Sequence, residues 1–125
     1  MRAPRAGVPW TIARIHRRAF YSWYIRSARW RARRELFARE FEERWHAPMV
    51  CLICGGPWSV ATDDIHHLTY DHLGDERFEE MWPLDRKCHD ELHADLDRAR
   101  QWRHIGWRQA SFIIATRLAQ AKAAA

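Results

Sequence analysis

Of the eight histidines in the 125-residue chain, four are spaced for chemistry. His89 and His93 stand four residues apart in Cys88-His89-Asp90-Glu91-Leu92-His93. On a helix both imidazoles then leave the same face, where two nitrogen donors can hold one divalent ion. His66 and His67 are adjacent in Ile65-His66-His67-Leu68-Thr69-Tyr70. Strand neighbours point to opposite faces, so one of the pair can ligate the ion while the other is free to act as a base near neutral pH. The spacing therefore gives three ligands and one base, an open metal site able to activate water.

A second group is built on sulfur. Cys51-x-x-Cys54 is followed at once by Gly55-Gly56-Pro57, so two thiolates can meet one ion across a tight turn, as in half of a zinc knuckle. Its other half is imperfect. Cys88 is one candidate ligand and Asp85, three residues earlier, is another. A carboxylate is a legitimate but rarer ligand in a structural zinc site, and Asp85 is equally placed to cap a helix. His46 and Asp63 are alternative fourth ligands, and a degenerate site holding no metal is the remaining reading. Three cysteines cannot close a disulfide framework, so a cross-linked secreted scaffold is not expected.

These residues need elements to position them. From about Trp10 the apolar residues Ile12, Ile15, Ala19 and Trp23 recur at helical spacing, giving a first helix that ends near Tyr24. Ser27 is placed to cap a second helix with Trp30, Phe37, Phe41 and Trp45 on one side and Pro48 closing it. A short strand is expected over about Asp64 to Leu68, and a loop from Asp71 to Glu80. Another short strand follows from Met81 to Leu84, an edge strand because of Pro83. Asp85 then caps a third helix running to about Arg103, Gly106 breaks it, and a last helix from Trp107 precedes a featureless Lys-Ala tail. The expected class is α+β, mostly helical, in one domain with one modest core. Residues 1–47 form the basic arm and helices, 48–104 the histidine-cysteine core, and 105–125 the C-terminal helix and tail. Trp10, Trp23 and Trp30 are expected in the core, and Trp102, Trp107 and Phe112 are expected to pack the last helix onto the domain.

The net charge of +5 is unevenly spread. Ten arginines precede Glu35 with no acidic residue between them, whereas Asp and Glu are frequent from Asp63 to Asp97. A basic first half suits a polyphosphate partner, with Arg26, Arg29, Arg33 and Arg34 as the candidate nucleic-acid-binding residues. No apolar run approaches membrane-spanning length and no apolar segment follows the basic first residues, so the expected setting is a reducing cytoplasm, bacterial or in a phage-infected host.

The run from Tyr24 to His93 resembles the bacterial and phage HNH endonucleases. The resemblance is carried by Tyr24-x-x-Ser27-x-x-Trp30, Cys51-x-x-Cys54-Gly55, His66-His67-Leu68-Thr69-Tyr70-x-x-Leu73-Gly74-x-Glu76, and Leu84-Asp-Arg-Lys-Cys88-His89-x-x-x-His93. It implies a ββα-metal (His-Me) finger, two short strands and a helix around one catalytic ion, flanked here by N-terminal basic helices and a C-terminal helix. By position, His67 is the general base, and His66, His89 and His93 hold the ion. The middle letter of the motif falls on Glu80, where the family usually has Asn or Asp orienting the base or bracing the loop. Asp85 stands where the family usually has the first Cys of a second Cys-x-x-Cys. Glu76 fits the pattern without an assigned role beyond a hydrogen bond in its loop.

The implied activity is metal-dependent hydrolysis of phosphodiester bonds in double-stranded DNA, leaving 5′ phosphate and 3′ hydroxyl ends. Three imidazoles favour manganese, nickel, cobalt or zinc over magnesium, with a further zinc at the cysteines. One active site per chain nicks; a double-strand cut needs a homodimer or two successive nicks. Two rivals stand beside this reading: a decayed nuclease that survives as a zinc-containing DNA-binding module, and a toxin-type nuclease acting on RNA or DNA.

Overall fold

A computed structural model describes residues 18–98 and 104–125. The chain is α+β and mostly helical, with one small antiparallel sheet. Helical residues 18–24 (α1) lead into α2, Ala28–Trp45; the upstream part of the expected first helix lies outside the described residues. Strands β1, Asp64–His67, and β2, Met81–Leu84, are followed directly by α3, Arg86–Arg98, and then by α4, Trp107–Ala124. The expected extension of α3 to Arg103 also falls outside the described residues.

Local chemistry explains the boundaries. The Ser27 hydroxyl accepts the Trp30 N–H at 3.1 Å and starts α2. His46, in the left-handed conformation at φ 49°, ends it. At the start of α3, Asp85 Oδ1 accepts the Cys88 N–H at 2.7 Å, so the capping role read for Asp85 is present. Two expectations need correction. The Lys-Ala tail is not featureless: alanine and lysine are strong helix formers, and α4 continues to Ala124. Within the expected loop Asp71 to Glu80, a 3-10 turn forms over Phe78–Glu80 and delivers the chain into β2.

The sheet sorts the side chains. His66 pairs with Trp82 and His67 with Met81, so Asp64, His66, Trp82 and Leu84 share one face while Ile65, His67, Met81 and Pro83 share the other. Apolar packing accordingly splits into two clusters instead of one core. On the first face Leu84 packs with Cys51, Ile53, Cys88, Leu92, Leu96, Ala110 and Ile114, joining the cysteine turn, α3 and α4. On the second, Ile65 and Met81 pack with Tyr24, Trp30, Phe37 and Met49, which brings in α1 and α2.

One aromatic assignment fails: Trp23, expected in the core, is 59% exposed. Trp45 is 64% exposed, and Phe112, which does pack the last helix onto the domain, 47%. Each lies on a helical apolar stripe, but the stripe is wider than the surface available to cover it. Phe112 still meets Trp82 edge-on, with ring centroids 4.8 Å apart. Trp30 is buried as expected, and Trp10 and Trp102 lie outside the described residues. No helix among the described residues is long and apolar enough to cross a membrane.

Candidate metal centres

His66 on β1 and His89 and His93 on α3 converge, with one ring nitrogen from each lying within 4.8 Å of the others. The α3 pair comes from one helical turn, and β1 presents His66 to it because the strand runs beneath the helix. The detail fits an ion. His66 is fully buried, its Nε2 lies 2.9 Å from Ser111 Oγ on α4, and its Nδ1 is buried without a hydrogen-bond partner. Burial, reinforced by the neighbouring His89, His93 and His67, pushes its pKa down to about 2, so the ring is neutral and one nitrogen keeps a lone pair. Burial and His89 likewise lower His93. His89 Nδ1 lies 3.1 Å from Asp64 Oδ2, the arrangement in which a carboxylate orients a metal-binding imidazole. The hydrogen bond with His89, helped by Arg86 and Arg34, holds the Asp64 carboxyl below its ordinary range. Trp107 closes the cluster from α4, its ring 5.7 Å from His66 and 5.4 Å from His93.

Cys51, Cys54, Asp85 and Cys88 form a second convergent set, again within 4.8 Å of one another. The Gly55 N–H bonds the Cys51 carbonyl at 2.9 Å, and Gly55 adopts φ +75°, which folds the Cys-x-x-Cys segment into a tight turn. The Gly56 N–H points at Cys54 Sγ at 3.4 Å, and Asp85 Oδ2 takes the Cys54 thiol at 2.9 Å. Burial, the Cys51 thiol and Asp85 all push Cys88 up; hydrogen bonding to Asp85 does the same for Cys54. A divalent cation at their centre would reverse those pressures by stabilising thiolates. His46 and Asp63, the alternative fourth ligands, are not in this group; Asp63 instead accepts the Ser59 N–H.

On the other face of the sheet His67 is 2% exposed. Trp30 and Tyr70 flank its ring, with centroids at 4.9 and 5.7 Å, and Tyr21 meets it edge-on. Its Nε2 lies 2.9 Å from Glu76 Oε2, and its Nδ1 has no hydrogen-bond partner. Glu80, the candidate orienting group, turns elsewhere: its carboxylate meets His72 Nδ1 at 2.7 Å and the Arg77 N–H at 3.3 Å. The Glu80 contribution near His67 is through its backbone, whose carbonyl accepts the Leu68 N–H at 2.8 Å.

The four arginines selected as nucleic-acid contacts all donate within the protein. Arg26 bonds the Ser22 carbonyl and Arg29 the Gly74 carbonyl; Arg33 forks onto the Glu76 carbonyl and pairs with Glu40; Arg34 spans the carbonyls of Val60 and Asp63. Arg29, Arg33 and Arg34 tie α2 to the loops around the site, while Arg26 bonds back to the helical turn before it. A cleft of ≈ 670 Å³ opens beside them. Its lining includes Tyr21 and Trp30, which flank His67, along with His89 and the arginines Arg31, Arg34 and Arg86. Arg31 was not singled out among the ten N-terminal arginines, and Arg86 sits in the acidic half, where net charge masks it.

Other contributors lacked a sequence signal. Asp64 and Ser111 reach their histidines across 25 and 45 residues. No family model, no curated protein and no solved structure matches the chain.

Proposed function

We propose that this chain is a metal-dependent HNH-type endonuclease that hydrolyses DNA phosphodiester bonds, its β1–β2–α3 unit being a ββα-metal finger. One observation carries the reading: a single cleft is bordered by His89 of the three-histidine cluster and by the aromatic rings that flank His67. His67 itself does not line the cleft but is enclosed behind Tyr21 and Trp30, so the metal-binding edge at His89 and the shell of the base candidate border the same space.

His66, His89 and His93 would hold the catalytic ion. When bound, that ion supplies Lewis-acid stabilisation of the charge developing on the phosphate and leaving oxygen. His67 takes a proton from the attacking water, and its Nδ1, buried without a hydrogen-bond partner, is the nitrogen left for that. Arg86, with an exposed side chain, and Arg31 supply phosphate contacts along the cleft. Cys51, Cys54, Asp85 and Cys88 would hold a structural zinc that fixes the turn against the start of α3.

The experiment is cleavage of supercoiled plasmid by chelator-treated protein resupplied with magnesium, manganese, nickel, cobalt or zinc, beside His67→Ala. Relaxation or linearisation by the wild type alone is expected, with metal and DNA binding retained in the variant. Equal cleavage by both proteins would remove His67 from the mechanism. The enclosure of His67 favours a second reading, a zinc-bearing module that binds DNA without cutting it. Silence with every ion from folded, DNA-binding protein would select that reading.

A further inference from the structure

The His67 ring is held from its Nε2 side by an arrangement that neither spacing nor the metal set explains. Glu76 is buried, with its side chain and that of His67 each 1% exposed. A carboxylate in such a place is costly unless donors surround it. Three do. Glu76 Oε1 accepts the Tyr24 hydroxyl at 2.7 Å and the Gly74 N–H at 3.1 Å, while Oε2 faces His67 Nε2 at 2.9 Å. Burial works against the charge, but the bonds from His67 and Tyr24 outweigh it and keep the Glu76 carboxyl below its ordinary range.

The loop beneath is fixed as well. Arg33 forks onto the Glu76 carbonyl at 3.1 and 2.9 Å, and Arg29 holds the Gly74 carbonyl at 2.6 Å. Four groups from α1, α2 and the loop thus aim one carboxylate oxygen at one imidazole nitrogen. An ionised carboxylate only accepts hydrogen bonds, so the His67 nitrogen facing it must carry the proton.

We propose that Glu76 is a positioning residue that fixes His67 as the Nε2–H tautomer, leaving Nδ1 bare as the proton-accepting nitrogen. The use of that bare nitrogen in cleavage rests on the nuclease reading above; the tautomer itself does not. The division of labour between the two Glu76 oxygens makes the claim sharp. In Glu76→Gln the two donors at the Oε1 position hold the amide oxygen there, which turns the amide NH2 toward His67. Nε2 must then accept, and the proton moves to Nδ1.

The test reads the His67 ring nitrogens by long-range proton–nitrogen NMR on the zinc-loaded full chain, wild type and Glu76→Gln, beside plasmid cleavage. A wild type protonated on Nε2 and a variant protonated on Nδ1 are expected. Turnover should fall about 10³- to 10⁴-fold in the variant, as when a catalytic histidine is held in the wrong tautomer, with DNA affinity unchanged. A wild type protonated on Nδ1 would overturn the proposal, and that measurement needs no variant to fold. So would a folded variant that keeps the proton on Nε2, or one that switches tautomer yet cleaves normally. If the wild type does not cleave with any ion, the nuclease reading fails, while the tautomer pair still decides the role of Glu76.

Discussion

Ser111 Oγ lies 2.9 Å from His66 Nε2, joining the C-terminal helix to the first strand across 45 residues. Ser111 is fully buried, as is His66, so this bond is formed away from water and nothing replaces it when lost. It orients the imidazole that would be the strand's contribution to the metal centre.

Ser111→Ala is expected to destabilise the chain by about 1–3 kcal/mol, the usual cost of leaving a buried polar group unsatisfied. It should also weaken cobalt or zinc binding at the three histidines by about 10- to 100-fold, as loss of a group that orients a ligand does. Urea denaturation and calorimetric metal titration measure the two effects. Undiminished metal affinity would place His66 outside the ion's ligand set.

Asp64→Asn makes the same test from the other side. The carboxylate meets His89 Nδ1 at 3.1 Å and Arg86 at 3.3 Å. Removing its charge should lower metal affinity about tenfold while leaving the fold intact. A fall in affinity without a change in helix content by circular dichroism is the expected result.

Asp85 has two duties that a chelator separates. It caps α3 through the Cys88 N–H and belongs to the four-residue cysteine set. Asp85→Cys should lower stability in the presence of chelator by about 0.5–2 kcal/mol, because the cap is lost. With zinc supplied the sign should reverse, since a fourth thiolate replaces a weaker ligand. Melting temperatures with and without chelator give the answer. A decrease in both conditions would mean that the set holds no zinc.

Gly74→Ala tests the loop that carries Glu76. Gly74 has φ +93°, and a Cβ there would lie 2.8 Å from Arg29 Cζ, on the guanidinium that holds the Gly74 carbonyl. The substitution should cost about 1–3 kcal/mol in backbone strain. It should also displace Glu76, so any cleavage activity falls with stability. An unchanged urea midpoint would show that the loop adapts and that Arg29 is not a clamp.

What the sequence makes legible here is whatever local spacing determines. A four-residue interval on a helix brings His89 and His93 together by geometry alone, and Cys-x-x-Cys before two glycines folds one way. The strands are legible as short segments between turn signals, although β2, Met81-Trp82-Pro83-Leu84, is wholly apolar and does not alternate. Contacts between distant segments are not. The carboxylate on His67 is nine residues away in a loop whose path depends on Arg29 and Arg33, so the eye falls on Glu80, which turns to His72. Charge counting fails in a related way. A guanidinium buried on a backbone carbonyl and one left at the surface are identical in composition, yet Arg33 is spent on the loop while Arg86, paired with Asp64 at 3.3 Å, stays exposed. Periodicity also overstates burial, placing Trp45 with Phe37 although nothing reaches far enough along α2 to cover it.

The β1–β2 pairing has a consequence for how this protein can vary. His66 opposite Trp82 and His67 opposite Met81 place the two histidines on opposite sides of a sheet only two strands wide. Sliding one strand past the other by a single residue would invert the faces, sending His66 toward the Trp30 side and His67 toward α3. Insertions between the strands lengthen a loop and leave that parity alone. One residue gained or lost inside β1 exchanges the neighbours of both rings, so a single-codon indel there does more harm than most substitutions.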